Sequence, residues 1–454
     1  MIVSLLIALQ AAALAPPLQA PAPASRIPAA PAPDTSRLTL AALVRRALDS
    51  HPSVAAARAS RDAAAASVGA AQAPLFPRLA ATLTANQYKI GNLVYPLSGL
   101  SVANPPLFNS TLSQGAVALG YTLFDFGGRT SQVRLARAQE RGAEAALDQT
   151  SAQLVAGVAD AYLGVLTTRG VLEAQERQLA ALQAEANRIA QLETQGKAAH
   201  VEVLRLAAQV SRARADEVAT RAQLDVAERS LAQLVALPVD SVRGRLAPVH
   251  LADTSLADRA TLAARADAGS PDVARAARAA EAAAAGVGAA RAAYFPTLQL
   301  NAAYLENGHV FTGYRPYWTA QLQLSYPIFV GFAGVNGVRI NEAQSRAASE
   351  QLRAVRLATE QSVDAAIATV TAARATVDAL VTAVAQSEEV ERIRLLSVQV
   401  GSGTETDYLD AEATLLSNRA GLVQARNAEI AARVELARVT GSLDAGWLAS
   451  VVVQ

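Results

Sequence analysis

Two acidic side chains, Asp407 and Asp410, follow a glycine-containing segment late in the chain, and their spacing is the first that suggests chemistry. Residues three apart lie on one face of a helix, so the two carboxylates share a side. Such a pair attracts cations, or it marks a solvated helix start, where the helix dipole favours acids. An earlier segment of the same kind carries Glu202 and Arg205, one acid and one base. These charged groups are the first candidates for a functional site.

Other kinds of chemistry have little support in the sequence. The four histidines, His51, His200, His250 and His309, are scattered without the spacing of metal ligands. Cysteine is absent, which excludes disulfides, thiolate metal sites and cysteine nucleophiles. No Gly-rich phosphate loop or nucleophile elbow is present, and no acid pair falls in an apolar cleft. We therefore expect no enzyme, no cofactor and no metal site.

The composition favours long helices. Of the 454 residues, 52% are apolar and only 4% aromatic, and alanine supplies much of the apolar share, which suits helices packed through small side chains. The formal net charge is +1, and Lys and Arg are interspersed with Asp and Glu instead of forming a basic block. Nucleic acid is therefore not an expected partner.

The helical elements are unusually long. Residues 130–195 contain no proline and consist mostly of good helix formers, so they predict one helix of roughly 100 Å at ~1.5 Å per residue. Residues 338–400 have the same character, and 201–235 and 406–440 return as second helices. Apolar positions recur at the steps of seven and three that are typical of a coiled-coil seam, at Leu172, Leu179, Leu182, Ile189 and Leu192. The pattern predicts two long coiled-coil helical hairpins.

Two shorter hairpins show the alternation of β-strands, at 78–87 and 114–124 and at 297–305 and 317–326. In the second pair the residues of one face are apolar and those of the other are polar. The members of this face that we expect to meet lipid are Leu298, Leu300, Trp318, Leu322 and Leu324. This pattern is typical of outer-membrane barrel strands, and also of an ordinary half-buried hairpin.

The two halves of the chain repeat one plan. Pro271 follows Pro52 by 219 residues in matching motifs before the strands, whereas Gly401 follows Gly196 by 205 after them. Constant offsets on both sides of a single length change indicate an internal duplication. We therefore expect a fold that is mostly α with a small β part. Each repeat consists of a helix, two strands and two long helices.

A short apolar stretch followed by small residues predicts a secretory signal at the N-terminus. The expected order is a signal peptide at 1–20, a Pro/Ala-rich leader at 21–36, a first repeat at 37–238, a linker at 239–255, a second repeat at 256–443 and a C-terminal tail at 444–454. No run of ~18 uninterrupted apolar residues follows the signal, so we expect no transmembrane helix. Four strands cannot close a membrane barrel, which needs about eight, so a spanning chain must oligomerise; three copies give twelve strands.

Several motifs in order carry a family resemblance: Phe76-Pro77 and Phe295-Pro296 before the first strands, the strand exits at 123–129 and 328–332, and Val400-Gly401 ahead of the two aspartates. With these motifs the chain resembles the TolC family of outer-membrane channels from Leu38 to Gly441. The resemblance implies a homotrimer with a twelve-stranded barrel in the outer membrane and a twelve-helix tunnel in the periplasm. It implies as partners a periplasmic adaptor (membrane fusion protein) and an inner-membrane transporter.

The resemblance also implies roles for individual residues. Asp407 and Asp410, with Glu202, are expected to form the periplasmic gate and its charge selectivity. The family's best-known members carry an arginine two residues after the turn glycine and a tyrosine three before it; here Gly403 and Val398 stand at those positions. The usual latch of the gate is therefore in doubt. The tip-turn residues expected to contact the adaptor are Gly196, Lys197, Gly401 and Gly403.

The sequence therefore predicts a passive exit duct of a tripartite efflux pump, opened at its periplasmic tip by partner proteins. Two alternatives stay open at this point. One is a duct for type I protein secretion, because drugs, metal ions and proteins leave through ducts of one architecture. The other is a non-conducting periplasmic coiled-coil scaffold or adaptor, in which the strand hairpins are ordinary β structure.

Overall fold

The computed structural model describes residues 37–93, 108–252, 256–309 and 312–453. The signal peptide and the leader lie outside the described residues. The chain divides into two compact units. Their described residues are 64–140 and 280–348, with gaps, in the first unit, and 37–63, 141–279 and 349–453, with gaps, in the second.

The elements of the first repeat follow the order helix, strands, long helices. They are α1 (Leu40–Ser50), α2 (Pro52–Gln72), β1 (Arg78–Leu93), β2 (Phe108–Phe124), α3 (Gly128–Thr194), α4 (His200–Leu234), the short α5 (Val239–Val242) and β3 (His250–Leu251).

The second repeat has the same order. Its elements are α6 (Arg259–Gly269), α7 (Pro271–Ala292), β4 (Thr297–His309), β5 (Thr312–Ser325), α8 (Ala333–Gln399), α9 (Glu405–Val439), α10 (Ala445–Val451) and β6 (Val452–Val453). The long helices α3 and α8 both have 67 residues, and α4 and α9 both have 35. Equal lengths at an offset of 205 residues place the duplication in the structure itself.

Several bounds differ from those expected from the sequence. The strands run further than 78–87, 114–124 and 297–305, because backbone pairing continues through polar residues and across irregularities such as that between Gln87 and Asn92. Helix α8 starts at Ala333 instead of 338, although Gly334 and Gly337 disfavour helix there. Alternation and propensity mark the middle of an element better than its ends.

The first unit contains a four-stranded antiparallel sheet in the order β1-β2-β4-β5. The chain leaves β2 through a tight turn in which Phe126 and Gly127 both have positive φ, 52° and 85°. Arg129 closes this turn by donating to the carboxylate of Asp125, at 3.0 Å, and to the Pro74 carbonyl, at 2.9 Å. At the exit from β5, Gly331 and Phe332 have positive φ at the positions 205 residues later. Both repeats therefore leave the sheet through the same backbone turn.

The second unit has a core around Tyr162 of α3, which is fully buried. Its hydroxyl lies 2.6 Å from the Ala247 carbonyl and 3.1 Å from the Leu38 carbonyl, and burial raises the pKa of the phenol. The segments expected as linker and tail belong to this core, because β3 pairs with β6 and Val242 and Leu448 are buried. The paired residues of β3 and β6 are 201 and 203 positions apart in the sequence, so the pairing leaves no local signal, and a linker and a tail were expected for this reason.

Two helices, α3 and α8, each contain an 18-residue stretch apolar enough to cross a membrane by length and composition. The sequence expectation required an uninterrupted apolar run, whereas these stretches include up to two charges. In α3, 44% of the stretch is buried inside the chain, but in α8 only 6% is. The apolar surface of α8 is therefore largely uncovered in a single copy.

Candidate functional site

The turn between α8 and α9 positions the two aspartates. The carbonyl of Ser397 accepts hydrogen bonds from the backbone N–H groups of Ser402, at 2.9 Å, and Gly403, at 3.0 Å. Gly401 has φ +72°, and the Thr404 hydroxyl caps α9 by accepting from the N–H of Asp407 at 3.2 Å. A Cβ at position 403 would lie 2.8 Å from the Ser397 Cβ. A residue with a side chain at position 403 would therefore require Ser397 or the turn to shift.

Asp407 and Asp410 are both exposed and line one groove of about 490 Å³ between α8 and α9. The same groove is lined by Arg394, whose Nη1 lies 3.7 Å from Oδ2 of Asp407. The two aspartates therefore share a face, as their spacing predicts, and a guanidinium shares it with them. Arg394 gave no signal in the sequence, because it lies on the other helix, away from the family's latch position, and meets Asp407 only across the hairpin.

The turn of the first hairpin, between α3 and α4, holds its charges differently. Gly196 has φ +69°, and the N–H of Lys197 donates to the Leu192 carbonyl at 2.8 Å. Glu202 pairs with Arg205 on the same helix, at 2.6 Å. The acid of this tip is therefore neutralised from within α4.

Residues of both hairpins meet in a cleft of about 400 Å³ between α3, α4 and α9. Glu202 and Asp410 line it together, so the structure brings the predicted acids of the two repeats to one cavity. Glu412 also lines this cleft, and burial, with the charge of Glu391, raises the pKa of its carboxyl. Glu185 is buried there and accepts from Arg188 at 2.7 Å. These last two acids gave no sequence signal, because each lies inside an otherwise ordinary helical repeat.

The strand residues proposed to meet lipid fall on one face of the sheet. Leu298 lies opposite Leu324, and Leu300 opposite Leu322. Trp318 is opposite Tyr304 and leaves 74% of its surface exposed. The register continues this face onto the other two strands, through the pairs Tyr304–Val117, Ala302–Leu119 and Leu119–Leu79. The opposite face carries polar pairs such as Asn301–Gln321 and Gln299–Gln323.

In the described ranges, no group of three or more His, Cys, Asp or Glu side chains lies close enough together to bind a metal ion.

The family model described as Outer membrane efflux protein matches residues 43–237 and 262–442, one block for each repeat. The chain belongs to the outer membrane efflux protein family. Protein CyaE of Bordetella pertussis is 28% identical over 407 residues, which cover 88% of this chain and 83% of that protein. Outer membrane protein TolC of Escherichia coli is 25% identical over 87% of this chain and 80% of that protein. The resemblance to the TolC family is thereby confirmed.

A solved structure of a membrane protein from Pseudomonas aeruginosa has the same fold, with a TM-score of 0.76. It is 24% identical in sequence, and the match covers 88% of this chain and 93% of that chain. As a member of this family the protein is an outer-membrane exit duct, with its long helices in the periplasm.

Proposed function

We propose that three copies of this chain form a continuous duct, with a twelve-stranded barrel in the outer membrane and a twelve-helix tunnel in the periplasm. The observation that carries the proposal is the four-stranded sheet with its single apolar face. Within the described residues, β1 and β5 each pair on one side only. Unpaired strand edges are not tolerated in lipid, so β5 of one copy pairs with β1 of the next until the barrel closes.

The long helices support the same assembly. Helices α4 and α8 leave large apolar side chains exposed in a single copy. Lipid does not cover these side chains in the proposed duct, because only the strands lie in the membrane. The members with more than 40% of their surface exposed include Val201, Leu204, Val218 and Val226 on α4, and Leu357, Val381, Val390 and Ile393 on α8. Exposed apolar stripes of this kind mark protein–protein contact. In a ring of three copies, each interface joins two different surfaces, so the apolar stripe of α4 in one copy and that of α8 in its neighbour can both be buried.

The gate of this duct is the periplasmic end of the tunnel. There Asp407, Asp410 and Glu202 surround the constriction, and three-fold symmetry multiplies each carboxylate by three. Rings of carboxylates favour cations in a narrow pore. Gly196 and Lys197 at one turn, and Gly401 and Gly403 at the other, are the contacts for a periplasmic adaptor, which opens the tip together with an inner-membrane transporter. The duct itself is passive and has no catalytic step.

Transport of small molecules in a tripartite pump is the function that the family supports best, and it is favoured over a non-conducting periplasmic scaffold. The assembly is tested by native mass spectrometry of the protein purified from outer membranes in mild detergent. We expect one species with the mass of three mature chains. A monomer that retains native helicity would contradict the duct, because four strands cannot close a barrel, and a dimer would contradict the twelve-stranded trimer, because it supplies only eight strands.

A further inference from the structure

One basic side chain lies among the acids of the second hairpin. Arg394 stands seven residues before Gly401 and five residues before Gln399, the last residue of α8. Its Nη1 lies 3.7 Å from Oδ2 of Asp407, and both side chains are about half exposed, at 49% and 48%. Arg394, Asp407 and Asp410 line the same groove of about 490 Å³. The charge of this surface is therefore set by one guanidinium and two carboxylates.

Two acids near the turn of the first hairpin have partners on that hairpin. Glu202 pairs with Arg205 at 2.6 Å, and Glu193 contacts Nδ1 of His200 at 2.7 Å. Asp410 differs, since it takes part in no ion pair with the residues that the structure describes, although it lines both the groove and the cleft. Of the two aspartates in the groove, Asp407 is therefore compensated by Arg394 and Asp410 has no ion-pair partner among the described residues.

The arrangement is not inherited from the duplication. The position 205 residues before Arg394 is Ile189, and those before Asp407 and Asp410 are Glu202 and Arg205. In the first hairpin the compensating base follows its acid by three residues on one helix. In the second hairpin the base comes from α8 and the acid from α9, so their interaction links the two helices beside the turn.

We propose that Arg394 sets the charge selectivity of the constriction by neutralising Asp407 and leaving Asp410 as the net negative charge. This inference rests on the proposed function, in which three copies surround one pore. The constriction then holds three guanidinium groups among six carboxylates of this pair, and its net charge is half of that given by the aspartates alone. Cation preference in such a ring depends on the density of fixed charge.

Arg394 acts here through its charge and not through stability. A half-exposed ion pair stabilises a fold only slightly, because solvent screens it and two long side chains lose freedom. In a narrow pore the same charges lie within a Debye length of every passing ion, about 8 Å at physiological salt. Loss of Arg394 should therefore change selectivity while leaving assembly and melting behaviour unchanged.

The first experiment measures reversal potentials of the purified protein in planar bilayers across a KCl gradient. In Arg394→Gln we expect the ratio of cation to anion permeability to rise by about threefold, with block by hexamminecobalt at concentrations lower by about fivefold. Arg392→Gln is the matched control, because Arg392 lies on the same helix but pairs with Glu389, at 2.7 Å, and does not line the groove. It should leave both quantities at the wild-type value.

The pairing with Asp407 is tested by the double variant Arg394→Gln/Asp407→Asn. It removes a positive and a negative charge together, so we expect the permeability ratio to return to the wild-type value. Asp410→Asn in the wild-type background should abolish most of the cation preference. An unchanged ratio in Arg394→Gln, or a ratio that stays raised in the double variant, would overturn the role of Arg394.

A second readout keeps this inference separate from conduction. Terbium bound near the aspartates can be followed by luminescence in the detergent-solubilised protein, and Asp410→Asn identifies the signal of this site. We expect the half-saturating terbium concentration to fall by about fivefold in Arg394→Gln and to stay unchanged in Arg392→Gln. Folded and inserted wild-type protein that does not conduct would refute the proposed duct. An equal terbium affinity in the wild type, Arg394→Gln and Arg392→Gln would refute the role of Arg394.

Discussion

Leu322→Arg is expected to abolish the assembly of the protein in the outer membrane. Leu322 lies in β5 opposite Leu300, on the apolar face of the sheet, with 62% of its surface exposed. An arginine at mid-depth on the lipid face of a barrel costs about 2–4 kcal/mol, and three copies place three such charges in one barrel. Electrophoresis without prior heating of outer-membrane fractions should show the oligomer in the wild type and little or none in the variant.

The neighbouring position provides a matched control. Gln321 precedes Leu322 in the same strand, pairs with Asn301, and faces the polar side of the sheet. Because successive side chains of a strand point to opposite faces, Gln321→Arg introduces the same charge toward water. We expect this variant to assemble at close to the wild-type level. Equal loss of the oligomer in both variants would mean that the two faces do not differ in their surroundings.

Gly441→Ala is expected to lower the free energy of unfolding more than a glycine-to-alanine change at any other described glycine of the second unit. Gly441 has φ +70°, and an added Cβ would overlap the backbone of Gly269 and Ser270. Here the ends of α6 and α9 meet backbone to backbone, so no flexible side chain can move aside. The left-handed conformation costs about 1–2 kcal/mol for a residue with a Cβ, and the overlap should bring the total to roughly 3 kcal/mol or more.

Gly244→Ala separates the two contributions. Gly244 has a similar φ of +69°, but a Cβ there would meet no atom within 4 Å. We expect a loss of only about 1 kcal/mol in this variant, from the backbone conformation alone. Thermal melting of the purified proteins, followed by far-ultraviolet circular dichroism, should rank them wild type, Gly244→Ala, Gly441→Ala. Melting of both variants at one temperature would contradict the close approach of the two backbones.

Local patterns were sufficient for the types of the main elements. The absence of proline from 130–195 and the alternation from Leu298 to Tyr304 each depend on residues that are close in sequence. The two offsets revealed the repeat for the same reason, since matching motifs survive on both sides of the strands. The pairing of β3 with β6 could not be predicted, because it joins His250 to Val453 and each strand has only two residues.

The candidate site was predictable only in part. The acids Asp407 and Asp410 follow a glycine turn and belong to a recognisable family motif. Arg394 belongs to the other helix, and a pair between helices depends on the register of the hairpin, which sequence spacing does not give. The meeting of Glu202 with Asp410 in one cleft also depends on how two hairpins pack. Contacts between charged side chains on different helices could therefore not be predicted from the sequence.

The most direct test of the central proposal is the single-channel conductance of the purified wild-type protein in a planar bilayer, compared with Asp407→Ala/Asp410→Ala. We expect a small conductance that prefers cations in the wild type, and a loss of that preference, with weaker block by multivalent cations, in the variant. Folded, inserted protein that conducts in neither form, or that keeps the same selectivity without the two carboxylates, would contradict a duct constricted at this turn.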